Sequence, residues 1–247
     1  MIFPLLLTLL ACKHPVEAPT ELDELAIFLF REFETQDPEI LAAGVENLRP
    51  LLEQAPDEGW SLSPPTIEDL AELEPPAGRD PGDCGGLAVV YSSPHPVTDH
   101  VTIMLQADLT PASPTAESYE RSFLEGQGCF EDGGCEFLRT ENAIFRSNLL
   151  MQMGFTLYED YRWVDGAVLS RNWIAESAHG DSDSNHLWQD WELEAWLPTE
   201  DGVLRLWAMW TEAEYAGVSE ELAEVSGRAG LISAMEAQDE WLDQSSR

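Results

Sequence analysis

Three features of the chain predict an α+β fold: two helical apolar repeats near the start, aromatic and β-branched runs divided by turn residues through the middle, and a long helix-forming segment at the end. The first helix is expected over Glu21–Glu34, with Thr20 as its cap and Leu22, Leu25, Leu29 and Phe33 on one face. Asp37-Pro38 supplies a cap and a first-turn proline for a second helix to about Gln54, whose face is Leu41, Val45, Leu48 and Leu52. Pro50 is placed to kink or end it. Residues 21–54 thus form an antiparallel helix pair. Residues 55–86 are a Pro/Gly-rich connector, with one short helical stretch after Thr66 and with Trp60 and Leu70 as its anchors.

From residue 87 the apolar period shortens. Leu87–Tyr91 and Val97–Ala107 read as strands on either side of Ser93-Pro94-His95-Pro96. Ala143–Met153 fits strand and helix equally. Tyr161–Ala175, His186–Leu197 and Val203–Trp210 are strands, with Asp165-Gly166 interrupting the first and Thr199–Gly202 joining the last two as a hairpin. Ser219 to about Leu242 closes the chain as a helix. Residues 87–247 therefore hold an antiparallel sheet and a C-terminal helix, one domain with the helix pair.

The charge narrows the function. The chain has 247 residues, 47 acidic against 12 basic, for a net charge of −35. A surface that negative repels phosphate backbones and excludes nucleic acid as a partner. Contact with an anionic bilayer then requires an anchor. Residues 1–11, MIFPLLLTLLA, are too few to span a membrane as a helix, which takes about 20, and they read as a short export signal. Leu9-Leu10-Ala11-Cys12 resembles the lipobox of bacterial lipoproteins. The resemblance implies cleavage before Cys12, acylation of that residue, and a short tether (residues 12–20) on the envelope. Lys13 stands where an Asp would signal inner-membrane retention, which implies the outer membrane.

Four sets of residues could carry function. Asp181, Asp183, Asn185 and Glu192 stand at positions 1, 3, 5 and 12 of a stretch that resembles the EF-hand calcium loop, with His186 in place of its glycine. Cys129 and Cys135 flank a turn-forming Asp-Gly-Gly and are spaced to close as a disulfide, although pairs of either with Cys84 stay open. Seven of the nine Trp lie between 163 and 210, and Trp163, Trp173, Trp188, Trp196 and Trp207, with Arg171 and Arg205 on the same strands, are candidate walls and clamps of a pocket for an apolar ligand. His95, Asp99 and His100 bracket one turn as a further candidate cation site. The chain contains no G-x-S-x-G, H-E-x-x-H, P-loop or G-x-G-x-x-G motif, so no catalytic residue is assigned.

The closing helix carries Ala223, Gly227, Gly230 and Ala234 along one side, a stripe suited to close packing on a sheet. A sheet followed by one long helix resembles the helix-grip arrangement of START-like lipid-binding domains over residues 87–242. The resemblance implies an apolar ligand between sheet and helix. Three roles follow from the sequence: a lipid-anchored envelope protein with a structural or interaction role, a START-like binder, and a calcium-binding or hydrolytic protein. The first element of this reading is directly testable. Labelled palmitate is expected to enter the wild-type protein in a bacterial host and not Cys12→Ala; equal labelling of the two refutes the lipobox.

Overall fold

The computed structural model describes residues 17–56, 59–147, 152–182, 184–215, 217 and 219–245. Cys12, Asp183 and the export segment lie outside these. The two N-terminal repeats are helices α1 (Leu22–Arg31) and α2 (Pro38–Glu53). Asp37 caps α2 by accepting from the Glu39 N–H, and Pro50 falls within the last turn without ending the helix. The expected Thr20 cap is not used. Glu21 is the capping position, and the Asp23 carboxylate instead accepts from the Ser63 N–H and hydroxyl, drawing the connector onto α1. Within the connector Trp60–Leu62 forms a short strand, β1, and Thr66 and Asp69 cap a single turn that buries Leu70.

The remaining strands are β2 (Gly85–Ser93), β3 (Ala116–Glu125), β4 (Phe137–Ser147), β5 (Gln152–Val164), β6 (Ala167–Trp173), β7 (Ala178–His179), β8 (His186–Thr199) and β9 (Gly202–Glu214). They make one antiparallel nine-stranded sheet in the order β1-β2-β9-β8-β6-β5-β4-β3, with β7 paired to β8. Asp165 and Gly166 both take positive φ in the β5–β6 turn, as a two-residue hairpin of this twist requires. Helix α3 (Val97–Met104) stands where a strand is expected. Its β-branched content favours a strand locally, but Val97, Val101 and Met104 recur at helical spacing and are buried together against Trp196 and Val203. Tertiary burial decides the outcome. The last helix, α4, runs Glu220–Ser245. Among the described residues no helix is long and apolar enough to cross a membrane.

Alternation divides the sheet into two faces. On the outer face Trp191, Leu193, Ala195 and Leu197 of β8 and Leu206, Ala208 and Trp210 of β9 pack under α1 and α2. Phe30 of α1 meets Trp191 and Trp210 edge-on at 6.3 and 6.1 Å. Arginines tie the helix pair down at its margin: Arg162 donates to the Phe33 and Thr35 carbonyls, and Arg171 pairs with Glu34 at 3.0 Å and Asp160 at 3.3 Å. The inner face carries α3 and α4. The side of α4 that meets it is Leu231, Met235, Asp239 and Leu242, not the small-residue stripe. A methyl group at Gly230 would meet nothing within 4 Å, and one at Gly227 would meet only Leu87. The first turns of α4 touch the β1 edge of the sheet, where Glu224 accepts from Ser61 Oγ at 2.9 Å and Arg228 donates to the same Oγ at 3.0 Å, and they leave Leu222 and Val225 52% and 61% exposed.

Trp191 has no exposed surface and, with Trp210, supplies the largest side chains in the seam between the helix pair and the sheet. Trp191→Ala is expected to lower stability by about 3–5 kcal/mol in urea unfolding, and a loss under about 1 kcal/mol would show that the outer layer is not integral to the domain.

Candidate functional site

The inner face is where the fold departs from an ordinary core. Cross-strand register puts Val89, Trp207, Glu194, Ser170, Tyr161 and Leu138 in one row across the sheet, and Leu87, Met209, Glu192, Asn172, Glu159 and Thr140 in the next. Polar side chains therefore occupy the centre of a surface that α3 and α4 cover. They fall into three groups with different chemistry.

Glu159 belongs to a closed network. It accepts from the hydroxyls of Tyr119 at 2.9 Å and Tyr161 at 2.7 Å and pairs with Arg121, whose Nε donates to Asn142 Oδ1 at 2.8 Å. Asn142 in turn donates to the Leu157 carbonyl. The Glu159 carboxylate is thus fully engaged, and burial drives both tyrosine hydroxyls well above their usual range, so they stay neutral donors. This group is a structural brace.

The second group holds α4 in place. Asp239 accepts from Ser93 Oγ at 2.8 Å and from the Tyr91 hydroxyl at 3.0 Å, and His100 Nε2 lies 3.0 Å from Ser93 Oγ. Ser, His and Asp are assembled, but not as a nucleophilic triad. The serine proton goes to Asp239, so His100 donates through Nε2 and is left with Nδ1 unpartnered. Burial, with Arg205 nearby, also pushes the imidazole down to about 2, so it is neutral throughout the physiological range. This removes the hydrolytic reading at this position.

The third group is open. Asp190, Glu192 and Glu194 occupy successive inward positions of β8; Asn172 Nδ2 donates to Glu192 at 2.9 Å and to Glu194 at 3.2 Å, and Asp190 accepts from Thr211. Arg205 Nη2 reaches Glu194 Oε2 at 3.4 Å. Burial first, then the neighbouring acids, push Glu192 well above the usual carboxylate range; burial also raises Asp190, and raises Glu194 to about 7 against the pull of Arg205. Donors are left over beside them. Arg205 is wholly buried, yet its Nε and Nη1 have no partner, and neither do the indole N–H groups of Trp196 and Trp207, the residues paired with Arg205 and Glu194 in the β8–β9 ladder. Unmade hydrogen bonds of this kind are costly in a finished core. The three β8 acids are buried, with 6–7% of each residue exposed.

A cleft of about 500 Å³ opens at one end of this face, between the start of α3 (Pro96, Val97, Thr98), Trp163, and the β5–β6 and β8–β9 turns. Behind it Val97, Val203 and Trp196 form a continuous apolar cluster, and the Arg205 guanidinium lies over the Trp196 ring at 5.1 Å.

The candidate tryptophans and arginines are therefore divided. Trp163, Trp196, Trp207 and Arg205 lie on the gripped side. Trp173 and Arg171 lie on the opposite face, where Trp173 stacks on Tyr158 at 5.5 Å and Arg171 packs on Phe33; neither can reach the same ligand. Trp188 is the extra residue of a β-bulge between Leu187 and Gln189, which turns it out to the sheet margin against Arg79 and His186. The calcium set is also dispersed. Glu192 is in mid-strand on the inner face, six residues and about 20 Å along β8 from the loop, while Asp181 accepts from the Gln152 N–H and from Asn185 Nδ2. Among the described residues no three His, Cys, Asp or Glu side chains could hold an ion together. Cys129 and Cys135 are joined as a disulfide, and Cys84 is a buried thiol. The sequence reading missed Arg121, Asn142, Glu159, Asn172 and Asp239; in β4 the inward series Leu138, Thr140, Asn142 and Ile144 is interleaved with Arg139 and Glu141, so no apolar alternation marks it.

Sheet, gripping helix and inner polar site together define a helix-grip architecture. Several solved structures are similar to part of the chain. A STAR-related lipid transfer protein fragment from Xanthomonas axonopodis has 13% identity over 65% of this chain and 87% of that one, with a TM-score of 0.47. A protein of Thermus thermophilus has 16% identity over 66% and 99%, with a TM-score of 0.48. The Zhui aromatase/cyclase of a Streptomyces species has 11% identity over 66% and 95%, with a TM-score of 0.41. At such identities the likeness concerns fold. No protein-family model matches the chain, and no curated protein does.

Burial raises the folded-state pKa of Glu194 above its unfolded value, so this group's stabilising contribution is present below about 4.5 and is lost as pH rises through about 7. His100 acts in the opposite sense below 6.5, because the folded state keeps it neutral. Comparison with Glu194→Gln isolates the first effect. The variant is expected to gain in melting temperature relative to wild type between about pH 5 and about pH 8, and a constant difference across that range would refute the assignment.

Proposed function

We propose that this protein binds an oxygen-bearing, largely apolar small molecule between its sheet and α4, and that Cys12 anchors it by acyl chains to the outer membrane of a bacterial envelope. The observation that carries the ligand reading is Arg205: fully buried, with two guanidinium nitrogens unpartnered and two unpartnered indole N–H groups on neighbouring residues of the same face. Ligand acceptor oxygens would satisfy these donors, and ligand hydroxyls would be received by Glu192 and Glu194. Trp196, Val203 and Val97 supply an apolar flank, and the cleft beside Trp163 supplies access on a scale suited to a small ligand, about 300–1,000 Å³. The function is binding and transfer: the Ser93, His100 and Asp239 set is wired with its serine proton directed to the acid.

An interaction role for the same chain is favoured by the first turns of α4, where Leu222 and Val225 are exposed. It is compatible with a ligand inside the grip.

Native mass spectrometry of the protein purified from an oxidising compartment tests the reading. A small-molecule adduct that leaves on denaturation is expected, with its occupancy reduced at least fivefold in Arg205→Met. An apo mass for the wild type, or equal occupancy in both, would overturn it.

A further inference from the structure

The β7–β8 hairpin presents a second arrangement, remote in character from the gripped face. His179 and His186 are directly opposite in the antiparallel ladder, and their Nδ1 atoms lie 2.9 Å apart with the rings at 87°. The hairpin is closed by the Gly180 N–H donating to the Asn185 carbonyl at 2.8 Å. The His186 ring stacks on Trp188 at 4.1 Å, and the Arg79 guanidinium lies over the same indole at 3.8 Å. Two groups that close to one ring must occupy opposite faces, so Trp188 is sandwiched and the His186 plane is set. Arg79 is itself held by Glu212 at 2.9 Å. The bulge that displaces Trp188 from the inner face is what builds this column.

We infer that His179 and His186 form a surface site for a divalent transition-metal ion, with Cu(II) preferred. The separation selects the geometry. Imidazole–metal bonds are about 2.0–2.1 Å, so two nitrogens on cis positions of a square-planar ion lie about 2.9 Å apart, whereas tetrahedral positions would put them about 3.4 Å apart. The observed spacing is the square-planar one, which Cu(II) adopts, and Cu(II) also heads the affinity order for nitrogen ligands. In the metal-free chain one imidazole N–H donates to the other ring, and ligation replaces that contact by loss of the shared proton and a small turn of both rings toward the ion. Among the described residues no third His, Cys, Asp or Glu joins the two histidines. The surface charge of this chain favours the approach of a dication.

The experiment is a Cu(II) titration of the protein against a glycine competitor, in a His14→Ala background to remove the histidine of the tether. One equivalent is expected to bind, with two-nitrogen hyperfine structure in the Cu(II) electron paramagnetic resonance spectrum and quenching of the Trp188 share of the fluorescence. His179→Ala and His186→Ala are each expected to weaken binding at least tenfold, and His179→Ala, an exposed residue, should leave the melting temperature unchanged. Zn(II) is expected to bind more weakly than Cu(II). Absence of saturable Cu(II) binding, or binding equal in wild type and in the folded His179→Ala variant, overturns the site.

Discussion

Strand β8 is buried on both faces, and that constraint governs the rest of the structure. A strand covered on two sides ordinarily carries apolar residues at almost every position. In β8 only the outward series Trp191, Leu193, Ala195 and Leu197 follows that pattern, and it recruits α1 and α2 as a second layer. The inward series is Asp190, Glu192, Glu194 and Trp196. Burying three carboxylates in a row is unfavourable unless each is protonated, paired or solvated. The neighbouring strands respond accordingly: Asn172 on one side and Arg205 and Thr211 on the other face these acids. The polarity of the interior is thus set by one strand and distributed by register.

The inner face divides into closed and open networks. Around Glu159 every strong donor and acceptor is matched within the protein, which rigidifies β3, β4 and β5. Around Asp239 a single carboxylate joins the second half of α4 to two residues of β2, while Glu224 and Arg228 tie its first half to Ser61 of β1. Around Arg205 the matching is incomplete. A protein can carry such an imbalance at a site that a ligand completes, and the apolar cluster between that site and the open cleft is consistent with this use.

Much of the architecture was legible in residues alone. Asp37-Pro38 announced α2, and Asp165-Gly166 and Thr199–Gly202 announced hairpins. The strand expected at 97–107 failed because β-branched residues favour strands locally, whereas the spacing of Val97, Val101 and Met104 against Trp196 favours a helix. The glycine stripe on α4 failed for a related reason: small residues permit close approach without showing that anything approaches. Of the residues grouped as one candidate pocket, Arg205 and Trp196 lie on the inner face, whereas Arg171 and Trp173, two residues apart on β6, lie on the other, because odd positions of that strand face the helix pair.

What the sequence determined by itself is whatever depends on near neighbours: helical and strand periods, caps and turns, the six-residue spacing that lets Cys129 reach Cys135, the excess of acid, and the lipobox likeness at Cys12. Tertiary structure decided what depends on long-range register. Pairing β8 with β9 and β6 brings Arg205, Glu194 and Asn172 together from three strands, and the return of α4 brings Asp239 to Ser93 across 146 residues. A one-residue slip in any of those ladders would send the same side chains to the opposite face. The physical reason for the division is that local propensity fixes which way a side chain alternates, while only packing of distant segments fixes what it meets.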